Sequence, residues 1–163
     1  MAMTVDETLR ALSFTASLPE PVIRGLAEVC AMRVAPAGTT LFREGETHDE
    51  FSIIADGHVS LRMNVPARGD LPILSLSTGD ILAWSALLAH GRMTSSAQAV
   101  SDVQLLTFQG PELRRLCEAD HEVGFHLMSR VASALSRRLL ATRLQLLDLF
   151  ASQPPPVDPA KRA

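Results

Sequence analysis

Residues 38–61 read GTTLFREGETHDEFSIIADGHVSL, and their glycine spacing decides the fold. Short apolar runs are separated by turn chemistry at Pro36-Ala37-Gly38, Glu44-Gly45-Glu46 and Asp56-Gly57. The same rhythm continues outward. The segments MRVA (32–35), TTLF (39–42), FSIIAD (51–56), HVSLRMNV (58–65), PILSLS (72–77), SSAQAV (95–100) and VQLLTF (103–108) all read as strands. Ala67-Arg68-Gly69-Asp70 and Thr78-Gly79-Asp80 supply two further breaks. Closely spaced short strands with turns between them indicate a sandwich or jelly roll. Asp56-Gly57 between two apolar runs predicts a hairpin.

Helices flank this β region. Val5–Leu12 reads as one, and Pro19–Cys30 as another, with Val22, Ile23, Leu26 and Val29 at helical spacing. At Gly110-Pro111 the strand pattern stops, and GPELRRLCEAD opens with proline and an early glutamate, as helices do. A long helix is predicted from His121 to about Phe150, ended by Pro154-Pro155-Pro156. The expected class is therefore mainly β with helices (α+β): N-terminal helices in 1–31, a jelly-roll-like β-roll in 32–109, C-terminal helices in 110–152 and a disordered tail in 153–163.

The long helix carries two apolar rows. Met128, Ala132, Leu135, Leu139, Thr142, Leu146 and Leu149 alternate by four and three, the spacing of a heptad seam. Leu127, Val131, Leu140, Leu144 and Leu147 make a second row, expected to lie against the β-roll. A helix apolar on two sides needs two partners, so the seam predicts a homodimer; the alternative is a helix buried within one chain.

Bulk properties bound the rest. The 163 residues fit one domain with a single core, and 47% hydrophobic with 20% charged residues is ordinary for a globular protein. A net charge of −3 gives no electrostatic footprint for nucleic acid. The start MAMTVDETLRALSF lacks the apolar stretch of a secretory signal, and no unbroken apolar run reaches the roughly 18 residues a membrane span needs. A cytoplasmic protein with no membrane partner is expected, with Cys30 and Cys117 as free thiols.

The order of elements, with the stretch above followed by LSLSTGDIL (74–82), resembles the cyclic-nucleotide-binding domain of the catabolite activator protein family. The likeness covers roughly 15–150 and includes Gly38, Gly45, Gly57 and Gly79 at the family's turn glycines. It implies a β-roll followed by a long dimerising helix, with Arg137-Arg138-Leu139 at the family's arginine pair and leucine. Thr142 would stand where the family's threonine faces the base across the dimer. The family's transcription factors continue into a helix-turn-helix module. Here a proline tail follows instead, so a standalone domain without a DNA reader is expected, with Arg130, Arg137, Arg138 and Arg143 on a solvated helix face.

The resemblance also locates a phosphate cassette, GDILAWSALLAHGRMTSSAQAV (79–100). In the family this runs Gly-Asp, two apolar residues, Gly-Glu, then Arg-Ser or Arg-Thr. Backbone amides at a short helix cradle the cyclic phosphate, the arginine makes a charge-assisted pair, and the glutamate accepts from the ribose hydroxyl. Counted without gaps, Ala83 takes the second glycine's place, Trp84 the glutamate's and Thr94 the arginine's, while Ser95 keeps the serine. Indole donates but does not accept, so the ribose acceptor is missing. Arg92 lies two residues early, and in an extended segment would point the same way as Thr94. Hydrogen bonds to charged groups are worth roughly 1.5–3 kcal/mol each, so losing both anchors would weaken binding on the order of 10²- to 10⁴-fold. Trp84 could itself fill the pocket.

Other chemistry finds little support. A cupin-like metalloenzyme needs converging histidines and a carboxylate, whereas His48, His58, His90, His121 and His126 form no His-x-His motif. His90 beside the cassette is the one candidate ligand; Cys117 and His121, four apart, would share a helix face without completing a site. No catalytic or metal site is expected. The leading expectation is a non-catalytic regulatory or accessory subunit acting through contacts with a larger protein, by analogy with the small extra subunit of NAD-reducing soluble hydrogenases. The alternative is a sensor of cAMP, cGMP or another small anion, held by Trp84, Ser85, Arg92, Thr94, Ser95 and Thr142.

Overall fold

A computed structural model describes residues 3–88 and 90–152. The expected disordered tail lies outside the described residues. The chain divides into two compact units, one ending at Val131 and one beginning at Ala132.

The first unit opens with two helices, α1 (Val5–Ala11) and α2 (Glu20–Glu28). Thr4 caps α1 in a reciprocal box with Glu7, satisfying amides that a helix start leaves unpaired. Arg10 ties the two helices together by bonding both Asp6 and Glu20, and holds both carboxyls below their ordinary range. Val22, Ile23 and Leu26 form the buried face of α2. The expected helix ran on through Cys30, but it stops at Glu28, and Cys30 already begins a strand. Burial pushes the Cys30 thiol up to about 12 and raises that of Cys117, and both are free.

Eight strands follow: β1 (Cys30–Ala35), β2 (Thr40–Phe42), β3 (Glu50–Asp56), β4 (Val59–Val65), β5 (Gly69–Leu76), β6 (Ile81–Leu82), β7 (Ser96–Ala99) and β8 (Val103–Gln109). They form two four-stranded antiparallel sheets, ordered β1-β8-β3-β6 and β2-β7-β4-β5. All seven expected strands are present, and the two-residue β6 is an eighth that the sequence pattern does not predict. Pro72 is accommodated because β5 is an edge strand, where a missing amide breaks no ladder.

The hairpin expected at Asp56-Gly57 does not form. β3 pairs with β8 and β6, whereas β4 pairs with β5 and β7, so this turn carries the chain from one sheet to the other. Gly57 sits at φ +94°, and a Cβ there would stand 2.4 Å from the Asp102 carbonyl oxygen and 2.8 Å from Val103. The local dipeptide signal was right about the turn and wrong about the pairing, because core burial sets which strands meet.

Between the sheets lies an apolar cluster including Phe42, Ile54, Leu61, Leu82, Ala83, Met93, Ala97 and Leu105. After β8, α3 (Gly110–Ala119) leads to Asp120, whose carboxylate accepts from the Glu122 and Val123 amides and starts α4 (His121–Ala151). That break separates Cys117 from His121, so the helix face expected to carry both is not continuous. Gly124 allows the close approach: a Cβ there would meet the Cys117 carbonyl at 2.9 Å.

Replacing Gly57 with alanine should cost about 2–5 kcal/mol, combining roughly 1–2 for a side chain in left-handed backbone with 1–3 for overpacking. Urea unfolding of Gly57→Ala against the parent chain measures it.

Candidate functional site

The candidate site is the stretch from Gly79 to Ala99. Its leading turn is fixed twice over. The Asp80 carboxylate accepts from the Ser77 amide at 2.9 Å, and Gly79, at φ +90°, lies where a Cβ would stand 2.4 Å from the Ser13 hydroxyl. The Gly79 amide donates to Ile54, and Ile54 donates back to Asp80, which joins the turn to β3. Asp80 is therefore a turn former. From Ile81 to Val100 the sequence holds no carboxylate at all.

Ala83 stands at φ 54°, ψ 42°, the left-handed region that favours glycine, and caps a 3-10 helix at Trp84–Leu87. The backbone geometry of a Gly at this place is thus kept by an alanine. Ser85, Ala86 and Leu87 are buried, and Trp84 is half-buried. The carbonyl end of the 3-10 helix is clamped by α3. The Arg114 guanidinium donates to Ala86 at 2.6 Å and to Leu88 at 3.4 Å. Gly110 presses in beside it: its amide donates to Asp49 at 2.6 Å, and a Cβ there would lie 2.4 Å from the Ala86 carbonyl. The sequence reading missed Arg114, because nothing in a helical arginine announces a carbonyl partner 28 residues away.

Beyond the helix, residues 91–93 run alongside 45–48. Thr47 and Arg92 form a bridge, His48 donates to Gly91, Gly45 to Met93 and Met93 to Glu46. The segment is therefore extended, which was the condition for Arg92 and Thr94 to share a side. The chain bends at Thr94 and Ser95; Arg92 and Thr94 are both exposed, while Met93 and Ser95 are buried. Met93 is 3% exposed and belongs to the apolar cluster between the sheets. Among the described residues Arg92 has no ion-pair partner, and its Nη2 lies 3.9 Å from where a Cβ on Gly45 would be.

Thr94, at the place of the family's arginine, is exposed, and the buried position beside it is Met93. Trp84 is half-buried and stands outside the apolar cluster that includes Ala83 and Met93. Of the carboxylates in the β2–β3 turn, Glu44 accepts from the Asn64 amide and Glu46 from the Arg43 amide, while Asp49 Oδ1 lies against the cassette, 2.9 Å from where a Cβ on Gly91 would be. Thr142 lies in the second unit and donates its hydroxyl to the Arg138 carbonyl. His90 is exposed, and among the described residues no group of three His, Cys, Asp or Glu side chains is placed to hold a metal ion.

A model of the cyclic nucleotide-binding domain family matches residues 32–120, more than half of the chain. The chain belongs to the cyclic nucleotide-binding domain family. It is similar to the CRP-like cAMP-activated global transcriptional regulator of Mycobacterium tuberculosis, 28% identical over 120 residues, which are 74% of this chain and 52% of that protein. It is 27% identical over 111 residues to the cGMP-dependent protein kinase, isozyme 1, of Drosophila melanogaster, covering 66% of this chain and 14% of the kinase. The chain thus spans about half the length of the first relative and a small part of the second. The crystal structure of a cyclic nucleotide-binding domain from Methylobacillus flagellatus shares the fold, with a TM-score of 0.77 at 18% identity over 89% of this chain and 82% of that one.

The frame of the cassette is testable by stability. Met93→Ala should cost about 2–5 kcal/mol, as large-to-small changes in a core do, whereas Arg92→Ala and Thr94→Ala should each stay within about 0.5 kcal/mol. Denaturant titration of the three variants checks the assignment.

Proposed function

We propose that this chain is a non-catalytic regulatory module of the cyclic nucleotide-binding domain family that works through protein contacts and does not hold cAMP or cGMP by the family's anchors. One observation carries the reading: the inward positions of the site are Ala83 and Met93, inside an apolar cluster, with no carboxylate between Ile81 and Val100. A cyclic nucleotide needs an acceptor for its ribose and a cation for its phosphate. Buried methionine and alanine supply neither, and Arg92 is exposed over the β2–β3 turn.

The protein contact begins with a second copy of the chain. Leu139, Leu146 and Leu149 of the seam are 50% exposed or more, Met128 is 39% exposed, and Phe125, one step further up the same heptad, is 70% exposed. Exposed apolar side chains at alternating threes and fours are what a paired helix covers. A larger subunit, such as an enzyme of the hydrogenase kind, then meets the dimer.

Calorimetric titration with cAMP and then cGMP should give no saturable heat up to millimolar ligand. Micromolar binding would overturn the reading and make the chain a sensor, with Arg92, Thr94 or Ser95 as replacement anchors. Light scattering should give the dimer mass at micromolar concentration, and Leu139→Asp should reduce it to the monomer mass with helical circular dichroism kept.

A further inference from the structure

The second apolar row of α4 is two separate faces. Val131 and Leu140 are nine residues apart, about two and a half helical turns, so they point in opposite directions. Leu127 and Val131 are buried. Leu140, Leu144 and Leu147 are 57%, 53% and 62% exposed and fall on one stripe by their spacing of four and three. At about 100° per residue this stripe lies roughly 130° round the helix from the seam. In heptad terms these are outer positions, which in a paired helix are ordinarily polar. A dimer closed along the seam would still expose all three leucines.

We propose that this outer stripe is a docking surface for an acidic, leucine-bearing amphipathic helix of another protein. The inference rests on the reading of the chain as a protein-contact module. Charge selects the occupant. Arg137 precedes Leu140 by three residues, and Arg143 follows it by three and precedes Leu147 by four, so the two cations border the stripe. Both are exposed, and among the described residues neither has an ion-pair partner. Asp148, four residues after Leu144, also borders the stripe and is the one acid between Ala132 and Ser152, so the rim stays net cationic and a second copy would bring mostly further arginines to the contact. Residues 153–163 offer Val157 as their one branched apolar side chain and carry Lys161 and Arg162, the wrong sign. Leucines rimmed by cations match leucines rimmed by glutamates.

The test uses the full chain and two labelled synthetic helical peptides with leucines at matching spacing, one flanked by glutamates and one by lysines. Fluorescence anisotropy should show binding of the glutamate peptide alone. Leu144→Asp should weaken it by roughly tenfold or more, the size of an interface anchor. Arg137→Glu/Arg143→Glu, which removes no apolar contact, should weaken it similarly and transfer binding to the lysine peptide. The scattering mass of each variant should stay that of the parent chain. Equal binding of both peptides, or of neither, overturns the proposal. So does a lower mass for Leu144→Asp, which would assign the stripe to a second copy. Retention of the chain on phosphatidylserine vesicles, lost in Arg137→Glu/Arg143→Glu, would assign it to a membrane surface. None of these outcomes depends on the nucleotide titration or on Leu139→Asp, so the seam and the stripe stand or fall separately.

Discussion

The two sheets enclose a single apolar interior, and the cassette has to turn one side into it. Strand alternation then leaves little choice. In β7 Ala97 and Ala99 face one way and Ser96 and Gln98 the other, and burial alternates likewise before the strand, with Met93 and Ser95 buried and Arg92 and Thr94 exposed. Met93, Ala97 and Ala99 are buried to within a few per cent, so the inward side is settled by the apolar residues and the polar ones are carried outside. A polar anchor facing the interior would have to be desolvated in that cluster, at a cost of several kcal/mol for an unpaired charge. The composition of the site and the packing of the roll are one problem with one solution.

Much of this was legible in the sequence. Glycine-punctuated apolar runs pointed to the strands, and the resemblance to the family pointed to the cassette at 79–100. What failed had a common cause: local patterns do not report which partner a residue meets. Asp56-Gly57 has the chemistry of a hairpin turn, yet the strands on either side pair with β8 and β7, distant in sequence. Gapless counting from Gly79 gives Thr94 the arginine's place without saying that its neighbour Met93 is the buried residue. Likewise Leu127, Val131, Leu140, Leu144 and Leu147 look like one row when read by residue type, but the nine-residue interval between Val131 and Leu140 puts the last three on the opposite side. Arg114 carried no signal at all, since its partners are backbone carbonyls.

On the proposed reading the chain lacks its family's ligand anchors and has no need of them to keep the bend at Ala83, yet the bend is kept. Ala83 holds the left-handed conformation, which costs a non-glycine residue roughly 1–2 kcal/mol. Glycine would relieve that strain. It would also lose about 0.8 kcal/mol of methyl burial in the cluster and add about 0.4–1 kcal/mol of unfolded-chain freedom. The terms nearly cancel, so alanine is tolerated there without help from a ligand. The reason for the bend lies on the other side of the 3-10 helix. Its Ala86 carbonyl meets Gly110 and Arg114, and its Ser85 and Leu87 are buried. Straightening the bend would withdraw that carbonyl from the guanidinium and leave a partly buried charge short of an acceptor, a loss of about 1.5–3 kcal/mol. On the proposed reading the cassette persists as structure, joining the roll to α3, and the chemistry once expected of its side chains is replaced by packing.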